Sequence, residues 1–233
     1  MTRLGQFGRC ALLLLPLMLL ATPPAAARCS DSPQPGVDWS KCDKKKKNLR
    51  DRDMNGGNFE RADLSFTTLS GSNLAGAKLG RAILTSARFQ ASDLSGADLT
   101  KALASRADFE GATLTGAVLS KAEMARAKLS RADLSNANLS KGEFERAQFH
   151  EALLEGADLT YADLARADLT GAKLAGADLT GAYTLLMRIE GSDLSAVTGL
   201  TQQQLDIACG DTATKLPDGL TAAADWPCAA VEE

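Results

Sequence analysis

The hydrophobic residues of this chain recur with a period of five. Every fifth residue from 59 to 194 is Leu, Phe, Met or Ile, and the two exceptions are Ala104 and Thr184. The residue two places before each of these is Gly, Ala, Ser or Thr, with Met187 as the one departure. A period of five matches neither the 3.6-residue turn of an α-helix nor the two-residue alternation of a β-strand. It predicts a chain that turns a corner every five residues.

Extended backbone places residues that are two apart on the same face. The large residue at the centre of each pentad and its small neighbour therefore face inward, and the other three residues face solvent. Four such sides close a square coil of twenty residues, and the 28 pentads between 57 and 194 make seven coils. Coils stacked at about 4.8 Å give a rod on the order of 34 Å long. This geometry predicts that Ala132→Leu destabilises the protein and that Asp133→Ser is nearly neutral.

The pentads resemble those of the pentapeptide repeat family. Ala-Asp-Leu-Thr-Gly at 177–181 and Ala-Asp-Leu-Ser-Asn at 132–136 carry the resemblance, which extends over about 140 residues. It implies an all-β fold, a right-handed quadrilateral β-helix, in agreement with the coil derived from the period. Ala104 predicts a small local hole in the core, and Thr184 with Met187 predicts an irregular last coil.

The two ends of the repeat need caps because a stack of coils leaves backbone edges unpaired. Residues 28–54 are expected to form an N-terminal cap, since Lys47 and Arg52 fall where small residues belong, and residues 55–199 form the β-helix. Residues 200–233 are expected to form the C-terminal cap. There, Thr201 and Gln204 make a capping box that opens a short helix running to about Cys209.

Residues 1–27 have the composition of a secretory signal peptide. Arg3 and Arg9 precede an apolar run at 11–20, and Ala25-Ala26-Ala27 offers a cleavage site. The apolar run is too short to span a membrane, and no later segment is long enough either. Lipidation at Cys29 is disfavoured because Arg28 stands where a small residue is required. We expect export to the periplasm or the medium.

Four cysteines follow the predicted cleavage site. An even number of cysteines in an exported chain indicates disulfides, and four allow three pairings. Pairing of Cys29 with Cys42 and of Cys209 with Cys228 is favoured because the repeat separates the two ends. A zinc site is disfavoured, since there is no Cys-x-x-Cys and only one histidine, His150.

Stacking at twenty-residue intervals turns sequence positions into surface columns, and two neighbouring corner columns are basic. The first basic ladder is Arg61, Arg81, Lys101, Lys121 and Lys141, and the second is Arg106, Arg126, Arg146 and Arg166. The functional interpretation is a binding surface for an anionic partner. The structural one is a solvated face on which acids two residues later, such as Glu123 and Glu143, pair with the ladders. The other two corners are mostly glycine, and we expect them to turn differently from the basic pair.

The segment Tyr183, Leu185, Leu186 and Met187 is too apolar for all of its side chains to face inward. Packing beneath the C-terminal helix is one interpretation. An exposed apolar contact patch that binds a partner or a second copy is the other, so the chain is expected to be a monomer or a homodimer.

Catalysis is not expected, because His150 is a lone outward residue and the core leaves no pocket. No cofactor, metal or small-molecule substrate is expected. The resemblance raises DNA mimicry toward a topoisomerase, but 18 acidic and 15 basic residues between 57 and 199 leave no continuous negative stripe, and nucleic acid is an improbable partner. The sequence therefore favours a non-catalytic exported scaffold that presents flat sides to a protein or envelope partner. The alternative is binding of an anionic polymer, nucleic acid or acidic glycan, through the basic ladders.

Overall fold

The computed structural model describes residues 28–226 and residue 228. The chain folds as a right-handed quadrilateral β-helix held by parallel bridges between residues twenty apart. The bridges involve single residues rather than longer strands, because a corner interrupts the extended backbone after every pentad. They run from Asp38, paired with Asn58, to Thr198, paired with Asp178. The predicted signal peptide, residues 1–27, lies outside the described residues.

The β-helix has eight coils, one more than the pentad count predicted, and measures about 38 Å at the usual strand spacing. The additional coil begins at Asp38, within the stretch that was assigned to the N-terminal cap. Trp39 and Met54 fill inward centre positions of this coil and are buried. Lys47 and Arg52 stay exposed at inward positions because no coil lies beneath them.

The N-terminal end is closed by residues 28–37 and the disulfide Cys29–Cys42. Lys44 occupies a centre position, with its Nζ 3.5 Å from the centroid of the Trp39 ring. The same Nζ donates a hydrogen bond of 2.6 Å to the carbonyl of Cys29. Burial lowers the pKa of Lys44, and this long side chain covers the end of the core that a leucine fills elsewhere.

The core follows the predicted alternation of large centres and small neighbours. Leu134, Leu159 and Ala132 have no exposed surface. Where the small residue is Ser or Thr, its hydroxyl donates to a carbonyl 23 residues earlier, as from Ser92 to Leu69 at 2.7 Å. No buried side-chain polar atom of the described residues lacks a hydrogen-bond partner.

The prediction of an irregular last coil is wrong. Thr184 stands at a centre position and Met187 at a small position, and both are fully buried. The bridges at Tyr183 and Arg188 continue the regular frame. A small centre next to a large neighbour conserves the side-chain volume inside the coil, so the backbone does not need to change.

All four corners turn alike, and the expected difference between glycine and basic corners is wrong. The φ angle of the second corner residue is +59° at Arg126 and +64° at Gly116. From Gly57 onward, each corner is closed by a four-residue hydrogen bond, as from Ala127 N to Met124 O at 3.0 Å. Residues other than glycine pay about 1–2 kcal/mol for this conformation. The bonds to the next coil, such as Arg126 N to Glu145 O at 2.8 Å, offset that cost.

Helix α1, Gln202–Leu205, lies over the last coil and has the predicted capping box between Thr201 and Gln204. It ends at Leu205 rather than near Cys209, because the backbone of Cys209 pairs with Arg188 on the last coil instead of continuing the helix. Lys215 pairs in the same way with Asp193. These returning residues give the last coil the backbone partners that a further coil would supply.

The second disulfide joins Cys209 to Cys228, so both local pairings favoured by the sequence are formed. Trp226 donates from Nε1 to the carbonyl of Ala208 at 2.7 Å and holds the C-terminal segment against the cap. Among the described residues, no helix combines the length and hydrophobicity that a membrane crossing requires.

Candidate interaction surface

The two basic ladders lie on the two edges of one side of the β-helix. We call this the basic side: residues 40–46 and the equivalent seven-residue segments in every coil to 180–186. Its midline consists of the outward bridge residues, including Ile83, Leu103 and Glu123. The side opposite consists of residues 50–56 and their equivalents to 190–196, and we call it the opposite side.

The first ladder occupies one edge of the basic side. Its members are exposed corner residues in successive coils, and Lys41 extends it into the additional first coil: Arg61, Arg81, Lys101, Lys121 and Lys141. Tyr161 follows at the next coil, and its ring lies over Gly181, where an added Cβ would come within 2.7 Å of Tyr161 Cδ1. Gly181 thus leaves room for an aromatic surface at the end of this ladder.

The second ladder occupies the other edge, in the fourth to seventh coils. Its exposed members stand in four successive coils: Arg106, Arg126, Arg146 and Arg166. Phe66 and Ser86 hold the same corner position nearer the N-terminus, and Leu186 holds it in the last coil.

The predicted pairing of the ladders with neighbouring acids is wrong. Within the described part of the chain, Arg146 is the only ladder member whose side chain lies within 4.0 Å of a carboxylate, that of Glu145 at 3.8 Å. Glu123 and Glu143 project from the middle of the side, whereas the ladder residues project from its corners. Stacked like charges about 4.8 Å apart repel one another. Apart from Arg146, the ladder residues therefore have no carboxylate of the described residues within ion-pair distance.

The predicted apolar contact patch does not form as one surface. Met187 is fully buried in the core, whereas Leu185 and Leu186 are partly buried. The backbone N–H of Leu186 donates to the carbonyl of Ile207 at 2.6 Å, so the segment after α1 lies against this corner. This arrangement favours packing beneath the C-terminal cap. Tyr183 alone stays half exposed, on the midline of the basic side.

A different apolar surface lies between the ladders and was missed at the sequence level. Leu103 is 36% exposed on the midline next to Ile83, and Phe66 is 55% exposed at the corner below. The twenty-residue columns contain the signal, because Ile83 and Leu103 interrupt an acidic column. Ile83 and Leu103 stand out only when hydrophobic residues, as well as charged ones, are compared along each column.

His150 is exposed on the opposite side, with its Nε2 3.7 Å from Glu151 Oε1. The described residues hold no group of three or more His, Cys, Asp or Glu side chains arranged to bind a metal ion. A shallow groove near Lys173 and Asp193 is open to solvent.

No column of bridge residues in the described structure is acidic throughout. The column that contains Asp98 and Asp158 is interrupted by Lys78, Val118 and Asn138. A rod that imitates the regular phosphates of a duplex requires a continuous negative stripe, and this column does not provide one.

Comparison with protein families and solved structures gives consistent matches. The family model described as pentapeptide repeats matches in eight copies, over residues 48–81, 62–100, 82–120, 105–141 and 147–183. A solved structure with which the chain shares 27% identity is HetL, a pentapeptide repeat protein involved in heterocyst differentiation regulation in the cyanobacterium Nostoc sp. strain PCC 7120. The match covers 81% of this chain and 93% of HetL, with a TM-score of 0.55.

A second similar structure is that of trypsin-treated QnrB1, a plasmid-mediated fluoroquinolone resistance protein. It is 24% identical over 75% of this chain and 85% of its own, with a TM-score of 0.59, and the likeness supports the fold alone. Curated protein sequences give no significant match.

Proposed function

The chain belongs to the pentapeptide repeat family, and we propose that it is a non-catalytic, exported binding module that presents flat β-helix sides to a protein or envelope partner. The filled interior is the observation that carries this proposal. The inward residues of the regular coils are buried side chains packed on one another, so the rod has no room inside for a substrate. A partner must then bind to the outer surface of the rod, which the stacked coils keep rigid.

Export is supported by the signal-like segment 1–27 and by the two disulfides at the caps, because such bonds persist in oxidising compartments. The test is fractionation of C-terminally tagged protein with mass determination of its N-terminus. We expect cleavage after Ala27 and recovery outside the cytosol. Full-length protein confined to the cytosol would contradict export.

Binding through a flat side is tested by photocrosslinking in intact cells. A photoreactive residue is placed at one exposed midline position on each of the four sides: Leu103, Lys128, Lys173 and Asp98. A partner that docks on one side gives a specific product from that position, with weaker products from its neighbours. Absence of any product, or equal products from all four, would contradict the proposal.

The second candidate function is binding of an anionic polymer, and the unpaired ladders favour it. Neutralisation of polymer charge by lysine and arginine predicts an affinity that falls steeply with salt. Binding to an acidic glycan is measured by titration at low and high salt, for the native protein and for Arg126→Glu combined with Arg146→Glu. Affinity that is independent of salt, or unchanged in this double variant, would rule out binding of an anionic polymer through the ladders.

A further inference from the structure

We propose that the basic side is the docking surface for a protein partner whose own contact surface is acidic at its edges and apolar at its centre. This inference rests on the proposed function and adds to it the side that binds and the chemistry of what is bound.

The distribution of exposed apolar side chains supports this assignment. Five large hydrophobic residues of the described chain are well exposed, and all of them lie on or against the basic side: Phe66, Leu103, Tyr161, Tyr183 and Ile207. Ile207 joins the group because it contacts the corner at Leu186. Scattered exposed hydrophobics are ordinary, whereas a grouping on one side, its two corners and the adjoining cap indicates an interaction surface.

Charge is segregated across the rod in the same direction. Apart from the buried Lys44, the basic side has twelve Lys and Arg residues against seven Asp and Glu residues. The opposite side has four against nine, so the net charges are +5 and −5. The whole chain has a formal net charge of −3, and the positive side is therefore a local feature rather than a result of overall composition. An acidic partner is attracted to one side and repelled by the other.

The arrangement within the side resembles the anatomy of a protein–protein interface. Ile83 and Leu103 form an apolar centre, with Arg81 and Lys101 on one edge and Arg106 on the other. Protein interfaces commonly combine an apolar core depleted of charge with a polar rim. The two coils that contribute Ile83 and Leu103 carry no acidic residue on this side.

A linear polyanion matches this side less well. Glu123, Glu143 and Asp163 occupy the midline of the following coils and would repel a uniformly charged chain laid along the axis. Such a chain also has no apolar groups to bury against the apolar centre. A folded protein can place acids opposite the rim and apolar residues opposite Leu103.

The dimensions suit a protein as well. Eight coils give a length of about 38 Å, and one side takes a quarter of a twenty-residue coil, at most about 17 Å of extended chain. The resulting area, on the order of 600 Å², lies at the lower end of what one partner contributes to a standard-size interface. A second copy would offer its acidic opposite side, but that side has no well-exposed large hydrophobic residue among those described, so it lacks a match for the apolar centre.

The experiment compares two photoreactive positions in the full-length protein expressed in its own cells. Ser105 lies on the basic side and Ser130 on the opposite side, and both are partly exposed corner residues. Each is combined with an apolar variant, Ile83→Ser with Leu103→Ser, or with a charge variant, Lys101→Glu with Arg106→Glu. Leu153→Ser, a midline substitution on the opposite side, is the matched control, and thermal melting verifies that every variant folds.

We expect a protein product from Ser105 and not from Ser130, with the crosslinked peptide of the partner lying in an acidic surface. The yield should fall at least tenfold in both double variants and stay within twofold in Leu153→Ser. A product from Ser130 instead would overturn the basic side while leaving the proposed function intact. If no photoreactive position on any of the four sides gives a crosslinked product, the proposed function itself is contradicted.

Three other results also overturn the inference. Loss of the product in the charge variant but not in the apolar variant, with a lower yield when the irradiation is done at high salt, would indicate a polymer. A product with twice the mass of the chain would indicate a second copy. Retention of full yield in both double variants would show that neither the ladders nor the apolar centre binds.

Discussion

The inward alanine determines how wide the rod can be. Ala132 and Leu134 point to the same interior and neither has exposed surface, so the coil accommodates one large and one methyl-sized residue per side. Protein interiors are close-packed, and extra methylene groups force the surrounding side chains or backbone to shift.

Ala132→Leu should therefore lower the free energy of unfolding by about 1–3 kcal/mol, the usual cost of overpacking a dense core. Denaturant unfolding followed by circular dichroism measures it. An unchanged midpoint would contradict the inward assignment of the small position.

The outward aspartates contribute more than their exposure suggests. Asp133 accepts a hydrogen bond from the backbone N–H of Ser135 at 3.0 Å and another from Thr115 Oγ1 at 3.0 Å. Although burial raises the pKa of Asp133, the hydrogen bonds from Ser135 and Thr115 lower it below its ordinary value. The prediction that Asp133→Ser is nearly neutral did not take this support of the corner turn into account.

Asp133→Ala should cost about 1 kcal/mol, since a side chain that closes a turn is lost. Thr113→Ala is the control, because Thr113 pairs with Asp133 in the same column and makes no side-chain hydrogen bond among the described residues. Equal melting temperatures of the two variants would mean that Asp133 contributes nothing to the corner.

Gly142 occupies a small inward position for a steric reason. A Cβ added there would collide with the ring of Phe144 and lie 3.0 Å from the carbonyl of Leu139. Gly142→Ala should destabilise by about 1–3 kcal/mol. Adding Phe144→Leu restores the usual alanine–leucine pair, so the second substitution should cost less in the Gly142→Ala background than alone. Strict additivity of the two unfolding energies would rule out the collision.

At the scale of elements, α1 acts through a side chain more than through its length. Its four residues form a single turn, but Gln204 Nε2 donates to the carbonyls of Leu179 and Ala182 at 3.0 and 2.9 Å. The helix thereby provides hydrogen bonds at the open end of the last coil, where another coil would otherwise provide them.

Gln204→Ala should destabilise the C-terminal end by about 1–3 kcal/mol, because the Ala182 carbonyl loses its donor, the Leu179 carbonyl keeps only the bond from Ala182 N, and the capping box is broken. Gln203→Ala is the matched control, since Gln203 is exposed and makes no side-chain hydrogen bond in the described structure. Hydrogen exchange at the last coil measures local opening. Identical exchange in the two variants would refute this role.

At the scale of the whole molecule, acid should weaken the fold. The hydrogen bond from Lys215 lowers the pKa of Asp193 to about 2, with smaller contributions from Ser195. This value lies below the roughly 3.9 of an unfolded chain, so the unfolded state binds more protons as pH falls from about 4 to 2. The stabilisation is present above pH 4 and is lost through this window.

Urea unfolding between pH 5 and 2 should show stability declining with acidification, and Asp193→Asn should make the decline shallower. High salt should reduce the difference between the two proteins, since the Asp193–Lys215 pair is exposed. Parallel pH profiles for native protein and variant would contradict this contribution of Asp193.

The period of five was sufficient for the fold and for much of its detail. It predicted the stacking of residues twenty apart, the burial of Leu134 and Leu159, and the positions of the ladders, because a repeat makes each local rule apply again in every coil. It did not predict the first coil, where Lys44 and Arg52 replace the apolar pattern. A side chain that covers an open end follows rules different from those inside the stack.

The candidate surface was only partly predictable for a related reason. Charge along a column is visible in the sequence, but whether Arg126 meets a carboxylate depends on the direction in which each outward position projects. The tertiary structure left the ladders unpaired except at Arg146, buried Met187 and exposed Leu103 between the basic edges. Sequence periodicity by itself determined which residues face the axis, since the narrow interior accepts only one arrangement of large and small side chains. Only the folded coil decided what the outer surface presents, because outward side chains are oriented by corners and by neighbours that are far apart in the chain.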